Sequence, residues 1–137
     1  MNTYGLEPQQ MPVISIDFDG CIVEDKWPDI GDPIPGAIET INEWYDAGYW
    51  IIINSCRDSG KEWRDMFDWL RSEISFHEIN DNLDWRIDKY GTNPRKIGAD
   101  IYIDDHNICN AGTRISEASW GAYRKIVERY MRGTPDA

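Results

Sequence analysis

At 137 residues, 41% hydrophobic and 12% aromatic, the chain is sized for one domain with a real core, which excludes disorder over most of its length. A net charge of −11 weighs against unaided nucleic-acid binding, where Lys and Arg must neutralise phosphates. Three widely spaced cysteines, Cys21, Cys56 and Cys109, fit neither a disulfide framework nor a CxxC zinc site and read as reduced residues of a cytoplasmic protein.

Residues 1–7 have neither the basic region nor the apolar run of a signal peptide, and residues 1–11 read as a flexible arm. Val13–Asp17 is the first predicted strand. Residues 27–36 form a Pro/Gly/Asp-rich stretch expected to be loop rather than regular structure. A helix is predicted from about Gly36, with Ile38, Ile41 and Tyr45 on one stripe and Gly48 placed to end it. Trp50–Asn54 is continuously apolar and β-branched up to Asn54, as a strand covered on both faces should be. The apolar run 49–53 is far short of the roughly 20 residues needed to span a bilayer.

Ser59 and Glu62 have the spacing of a capping box opening a second helix, which carries Trp63, Phe67, Leu70 and Ile74 on one stripe. Residues 75–79 make a weak third strand and 99–103 a clearer fourth. A last helix over about 116–131 carries Trp120, Tyr123, Val127 and Tyr130, and 133–137 read as a frayed tail. Strands alternating with helices imply an α/β fold, a three-layer Rossmann-like parallel sheet with helices on both faces. Ligands of such sheets bind beyond the carboxyl ends of the strands.

The polar residues of interest stand at those ends: Asp17 and Asp19 in Asp17-Phe18-Asp19-Gly20, Ser55, and Asp104-Asp105. They are expected to meet in space. Two carboxylates where a buried strand runs out are poor core material, because unpaired buried charge is costly. They suit a hard cation such as Mg²⁺, or a nucleophile beside an acid/base group. Phosphoryl transfer needs these parts, with a cation and a Lys screening the phosphate and a hydroxyl donor filling a remaining oxygen.

D-x-D-G after the first strand, Ser after the second, Lys before the last and D-D ending it resemble the haloacid dehalogenase superfamily, most of whose members are Mg²⁺-dependent phosphatases. The match covers residues 13–105 in the family's order. Residues 88–96, leading into Ile101-Tyr102-Ile103-Asp104-Asp105, are similar to small, nearly capless bacterial and phage members. The resemblance implies a single catalytic domain over 12–132. It implies Asp17 as nucleophile and metal ligand, forming an aspartyl-phosphate. Asp19 would be the acid/base, with its backbone carbonyl on the metal. Ser55 would bind the phosphoryl oxygens, Lys96 the nucleophile and phosphoryl group, and Asp105 and Asp104 would complete the metal site, Asp104 being the nearer to optional.

Several residues keep two readings. Lys89 rivals Lys96. Arg57 could reach a substrate phosphate or pair on the surface with Asp58 or Glu62. His106 could position substrate or cap a helix. Trp27 could stack on a base or sugar, or close the core edge. Gly20 and Cys56 flank the motif carboxylates and the Ser, and complete the expected substrate-binding set. Asn54 and Cys56 depart from the residues that close relatives carry around the Ser, so substrate is not inherited from them.

Of the two positions where relatives insert a cap, the first, about 21–35, is too short for a domain. The second, 56–95, must already supply a helix, a strand and the connection to the last strand, so an open site is expected. The expected substrate is a nucleotide or other small phosphomonoester, with no membrane partner. Two alternatives stand beside it: a phosphatase of polynucleotide ends, and a receiver-like phospho-accepting domain. The latter is disfavoured because its acidic pair comes first in the chain.

Overall fold

The structure, a computed structural model, describes residues 2–133. A 3-10 turn at Pro8–Gln10 precedes β1 (Val13–Asp17), β2 (Val23–Lys26), β3 (Asp29–Pro33), α1 (Ala37–Asp46), β4 (Trp50–Asn54), α2 (Gly60–Glu73), β5 (Glu78–Ile79), α3 (Asp84–Tyr90), β6 (Ile101–Ile103) and α4 (Glu117–Arg132). β1 is central in a four-stranded sheet of order β5-β4-β1-β6, every pair parallel. Alternate strand residues explain why both faces are covered. Ile14, Ile16, Ile51, Ile53 and Ile103 pack against Ala37, Ile41 and Trp44 of α1, Met66 and Leu70 of α2, and Trp120 and Val127 of α4. Val13 and Ile52 face the other way, onto Leu83, Ile97 and Trp85 around α3.

The stretch 27–36 is not all loop. β2 and β3 form an antiparallel hairpin with Trp27 and Pro28 at its turn. Turn-forming residues tell against a strand in the middle of a sheet, but a two-stranded ribbon leaves one edge of each strand unpaired, so Pro at its turn and its end is tolerated. Gly31 lets the two backbones approach: a Cβ there would lie 1.9 Å from the Glu24 carbonyl oxygen.

Other boundaries moved for local reasons. The buried face of α1 is Ala37, Thr40, Ile41 and Trp44, turned from the expected stripe, with Ile38 and Tyr45 partly buried beside it. Ser59 stands at the N-cap of α2 without capping it; its hydroxyl donates to Asp58 instead. Met66 and Leu70 are the buried residues of α2, while Trp63 and Phe67 stack on each other at 5.0 Å. The third strand shrinks to two residues because the Ser75 N–H is taken by Asn42 Oδ1. The fourth begins at Ile101, since the Ala99 N–H donates to the Tyr102 hydroxyl. On α4, Trp120 and Val127 are buried and Tyr130 is exposed.

The segment expected to be a loose arm is tied down. Trp50 Nε1 donates to the Pro8 carbonyl at 2.8 Å, the Asn2 side chain binds Leu6, and Met11 is buried in the core. Gly133 closes α4 at φ +69°; the rest of the expected tail lies outside the described residues. Among the described residues, no helix is long and apolar enough to cross a membrane.

Candidate functional site

The site begins with register. Asp17 ends β1 directly beside Asn54, the last residue of β4, and Ile16 pairs with Ile103, the last residue of β6. Three chain segments therefore leave the sheet at one edge: the Asp-x-Asp turn, the Ser55 loop and Asp104-Asp105. Apolar strand residues packed on both faces hold that edge, so the polar residues beyond it are placed by the core rather than by each other.

Asp17 and Asp105 converge as expected, and they bring in a residue with no assigned role, Cys21. One carboxylate oxygen of each Asp and the Cys21 Sγ all lie within 4.8 Å of one another. Asp17 is pushed up from 3.8 to about 8, first by burial, then by its hydrogen bond with the Asp105 carboxyl and by the charges of Asp104 and Asp105. Burial pushes the Cys21 thiol up as well, so it remains a thiol and points at the Ile103 carbonyl, 3.9 Å away. Only its place four residues after Asp17, in a turn folded back on itself, could have signalled this.

Gly20 makes the convergence possible. At φ +85° it adopts a backbone that side chains rarely take, and a Cβ there would stand 2.2 Å from Asp105 Oδ2. Asp105 Oδ1 is buried without a donor, the nearest cationic candidate being the exposed His106 Nε2 at 3.7 Å. A buried carboxylate oxygen with no donor, next to a second carboxyl driven to hold a proton, lacks positive charge. A hard divalent cation supplies that charge, and these oxygens are the donors it prefers. The residues present fit such an ion, with Cys21 a packing thiol rather than a ligand.

Asp104 has a different occupation. Its Oδ1 accepts the His106 N–H at 2.8 Å and its carbonyl accepts from Asn110 Nδ2 at 2.9 Å, so it staples the loop after β6. Its charge still bears on Asp17.

Asp19 is not part of that cluster, and its carboxylate is held by Arg57. Arg57 Nε donates to Asp19 Oδ2 at 2.8 Å and its NH2 donates to Asp19 Oδ1 at 2.9 Å. Arg57 is 1% exposed, so neither expected reading stands: it is not an open substrate ligand, and it does not pair on the surface with Asp58 or the Glu62 carboxylate. Trp27 lies at the hairpin turn, 57% exposed, with its ring 5.0 Å from the Arg57 guanidinium carbon. It therefore does not close the core.

Ser55 is half-buried and organised by Asn80. The Ser55 N–H donates to Asn80 Oδ1 at 2.7 Å, Asn80 Nδ2 donates to the Arg57 carbonyl at 3.1 Å, and the Ser55 hydroxyl accepts the Arg57 N–H at 3.0 Å. Asn80 adopts φ +55°, a conformation Asn tolerates better than most residues. An Asn just after a short strand was the available signal for it. Cys56, between Ser55 and Arg57, is exposed.

Lys96 is not joined to this cluster. Its ammonium is exposed over the Tyr102 ring, 5.6 Å from the centroid, and makes no hydrogen bond or ion pair among the described residues. Buried Asn82 anchors the loop that carries it, through the carbonyls of Pro94 and Lys96 and the N–H of Gly98. Lys89 sits over its neighbour Tyr90.

Fold and site together define an α/β protein with a parallel four-stranded sheet, flanked by helices, and an acidic cluster at the carboxyl edge of its central strand. No family model and no curated protein matches the chain. Among solved structures it is similar to that of a conserved protein coded by a locus of Bacteroides thetaiotaomicron. The two chains are 29% identical, over 88% of this chain and 92% of that one, with a TM-score of 0.73.

Proposed function

We propose that the protein is a Mg²⁺-dependent phosphomonoester hydrolase of the haloacid dehalogenase type, working through an aspartyl-phosphate on Asp17. The observation that carries this reading is the Asp17–Asp105 pair, with Asp105 Oδ1 buried and undonated at the carboxyl edge of the sheet. Asp17, Asp105 and the Asp19 carbonyl would hold the ion, with Asp104 lending charge. When bound, the ion keeps Asp17 ionised and offsets the repulsion between its carboxylate and a phosphate dianion.

The chain's own groups would do the rest. An Asp17 oxygen attacks phosphorus as the bond to the leaving oxygen breaks, and Asp19, which must enter this step protonated, gives that oxygen its proton. Water then attacks the aspartyl-phosphate, surrendering a proton to Asp19 as the bond from phosphorus to Asp17 breaks, and inorganic phosphate leaves. The Ser55 hydroxyl would donate to a phosphoryl oxygen, and Lys96 would turn from Tyr102 to the arriving phosphate.

Among the described residues only the β2–β3 hairpin stands between β1 and α1, and only α2, β5 and α3 between β4 and β6, which supports a site without a cap domain. The exposed Trp27 beside the Asp19 clamp favours a leaving group with a flat ring, such as a nucleoside, and the net charge of −11 disfavours a polynucleotide. A panel of nucleoside monophosphates, sugar phosphates and 5′-phosphorylated oligonucleotides, assayed by phosphate release with Mg²⁺, tests this. Fastest turnover of nucleoside monophosphates supports it; preference for the oligonucleotides, or release from none, contradicts it.

A further inference from the structure

Arg57 is where the Ser55 loop, α2, the hairpin and the Asp-x-Asp turn converge. All five N–H groups of its guanidinium have acceptors. Two go to the Asp19 carboxylate, NH1 also reaches the carbonyls of Pro28 at 3.1 Å and Glu62 at 3.3 Å, and NH2 reaches the Asp29 carbonyl at 2.9 Å. The rings of Trp27 and Phe18 lie within 5.0 and 5.6 Å of the guanidinium carbon. A fully buried cation is tolerated only with such complete pairing. No donor is left over for a substrate.

We propose that Arg57 is the positioning residue for Asp19, fixing its carboxylate at the distance and rotation needed to meet the leaving oxygen. The role rests on the phosphatase reading above. Two parallel N–H···O contacts fix the plane of a carboxylate, which a single contact cannot do, and a Lys ammonium cannot reproduce the fork. The same guanidinium ties that plane to the hairpin through two carbonyls and the Trp27 face. The acid/base group is therefore registered to the surface against which a leaving group would lie.

The test compares two leaving groups in the wild type, Arg57→Lys and Arg57→Gln. kcat/KM covers the steps up to loss of the leaving group. p-Nitrophenolate departs without a proton, whereas an alkoxide such as that of glycerol phosphate needs one from Asp19. Misplacing a catalytic group can cost on the order of 100-fold. We expect kcat/KM for glycerol phosphate to fall at least about tenfold further than for p-nitrophenyl phosphate, in Arg57→Lys as in Arg57→Gln.

Equal losses on both esters, or full activity in Arg57→Lys, would overturn the proposal. The ion pair is read separately, without activity, by a thermal-unfolding cycle with Asp19→Asn: non-additive losses support it and additive losses overturn it. A wild type that hydrolyses neither ester while the cycle still shows coupling removes the phosphatase reading, and the positioning role with it.

Discussion

Gly20 leaves the space that Asp105 occupies: a Cβ at position 20 would stand 2.2 Å from Asp105 Oδ2 and 2.8 Å from its carboxyl carbon. The glycine thus serves the site twice, by its φ of +85° and by its missing side chain. Gly20→Ala is expected to cost roughly 1–3 kcal/mol of stability. It should also weaken Mg²⁺ binding, because Asp105 must retreat from Asp17. Thermal unfolding with and without Mg²⁺, with titration calorimetry, checks both parts. Unchanged Mg²⁺ affinity would separate Gly20 from the ion site.

The raised Asp17 carboxyl gives a pH dependence. Asp17 rises from 3.8 to about 8 on folding, so between those values the ion-free folded chain keeps a proton that the unfolded chain gives up. Its stability should therefore fall as pH rises across that window. Mg²⁺ needs the ionised carboxylate, so its binding should tighten with rising pH and release a proton below about 8. Melting temperatures across the window, with EDTA and with Mg²⁺, should diverge as pH rises, and Asp17→Asn should remove the divergence. Parallel curves would contradict this.

Asn80 holds Ser55 and Arg57 in one loop while adopting φ +55°. Asn80→Ala removes two hydrogen bonds and leaves a strained backbone, for an expected loss of roughly 1–3 kcal/mol. Phosphatase turnover should fall as well, since both residues it anchors lie at the site. Chemical denaturation and a steady-state assay read the two effects.

Lys96 and Lys89 are both exposed and each stands over a tyrosine ring, so the fold alone does not choose between them. The proposed role of Lys96 predicts that Lys96→Ala lowers kcat on the order of 100-fold, as loss of a preorganised charge contact does elsewhere. Lys89→Ala should stay within about threefold, as expected for a solvated surface Lys. Reversed effects would reassign the lysine.

Where the chain is mostly apolar and β-branched, as in β1 and β4, burial on both faces leaves one reading, and these strands were legible to the residue. The ends of β1 and of the predicted strand over 99–103 pointed to the meeting of Asp17 with Asp105. The hairpin was not legible, because Pro28, Gly31 and Pro33 carry loop signals whether or not two backbones happen to pair around them. α3 was missed because it is short and buries no residue fully. The partner of Arg57 lies 38 residues earlier in the chain, beyond any local pattern, while the acidic neighbours Asp58 and Glu62 offered nearer partners that the fold does not use. Cys21 joined the cluster for a similar reason: the turn after Asp19 curls back beneath Asp17, which spacing alone does not reveal.

The central claim is that Asp17 accepts the phosphoryl group with the help of a cation. Its most direct test is hydrolysis of p-nitrophenyl phosphate by the wild type, Asp17→Asn and Asp19→Asn, each with Mg²⁺ and with EDTA, with acid-quenched samples analysed by mass spectrometry. The account predicts Mg²⁺-dependent turnover that Asp17→Asn abolishes, and a phosphoryl adduct on Asp17 that persists longest in Asp19→Asn. Turnover that survives in Asp17→Asn, or an adduct on any other residue, would contradict it.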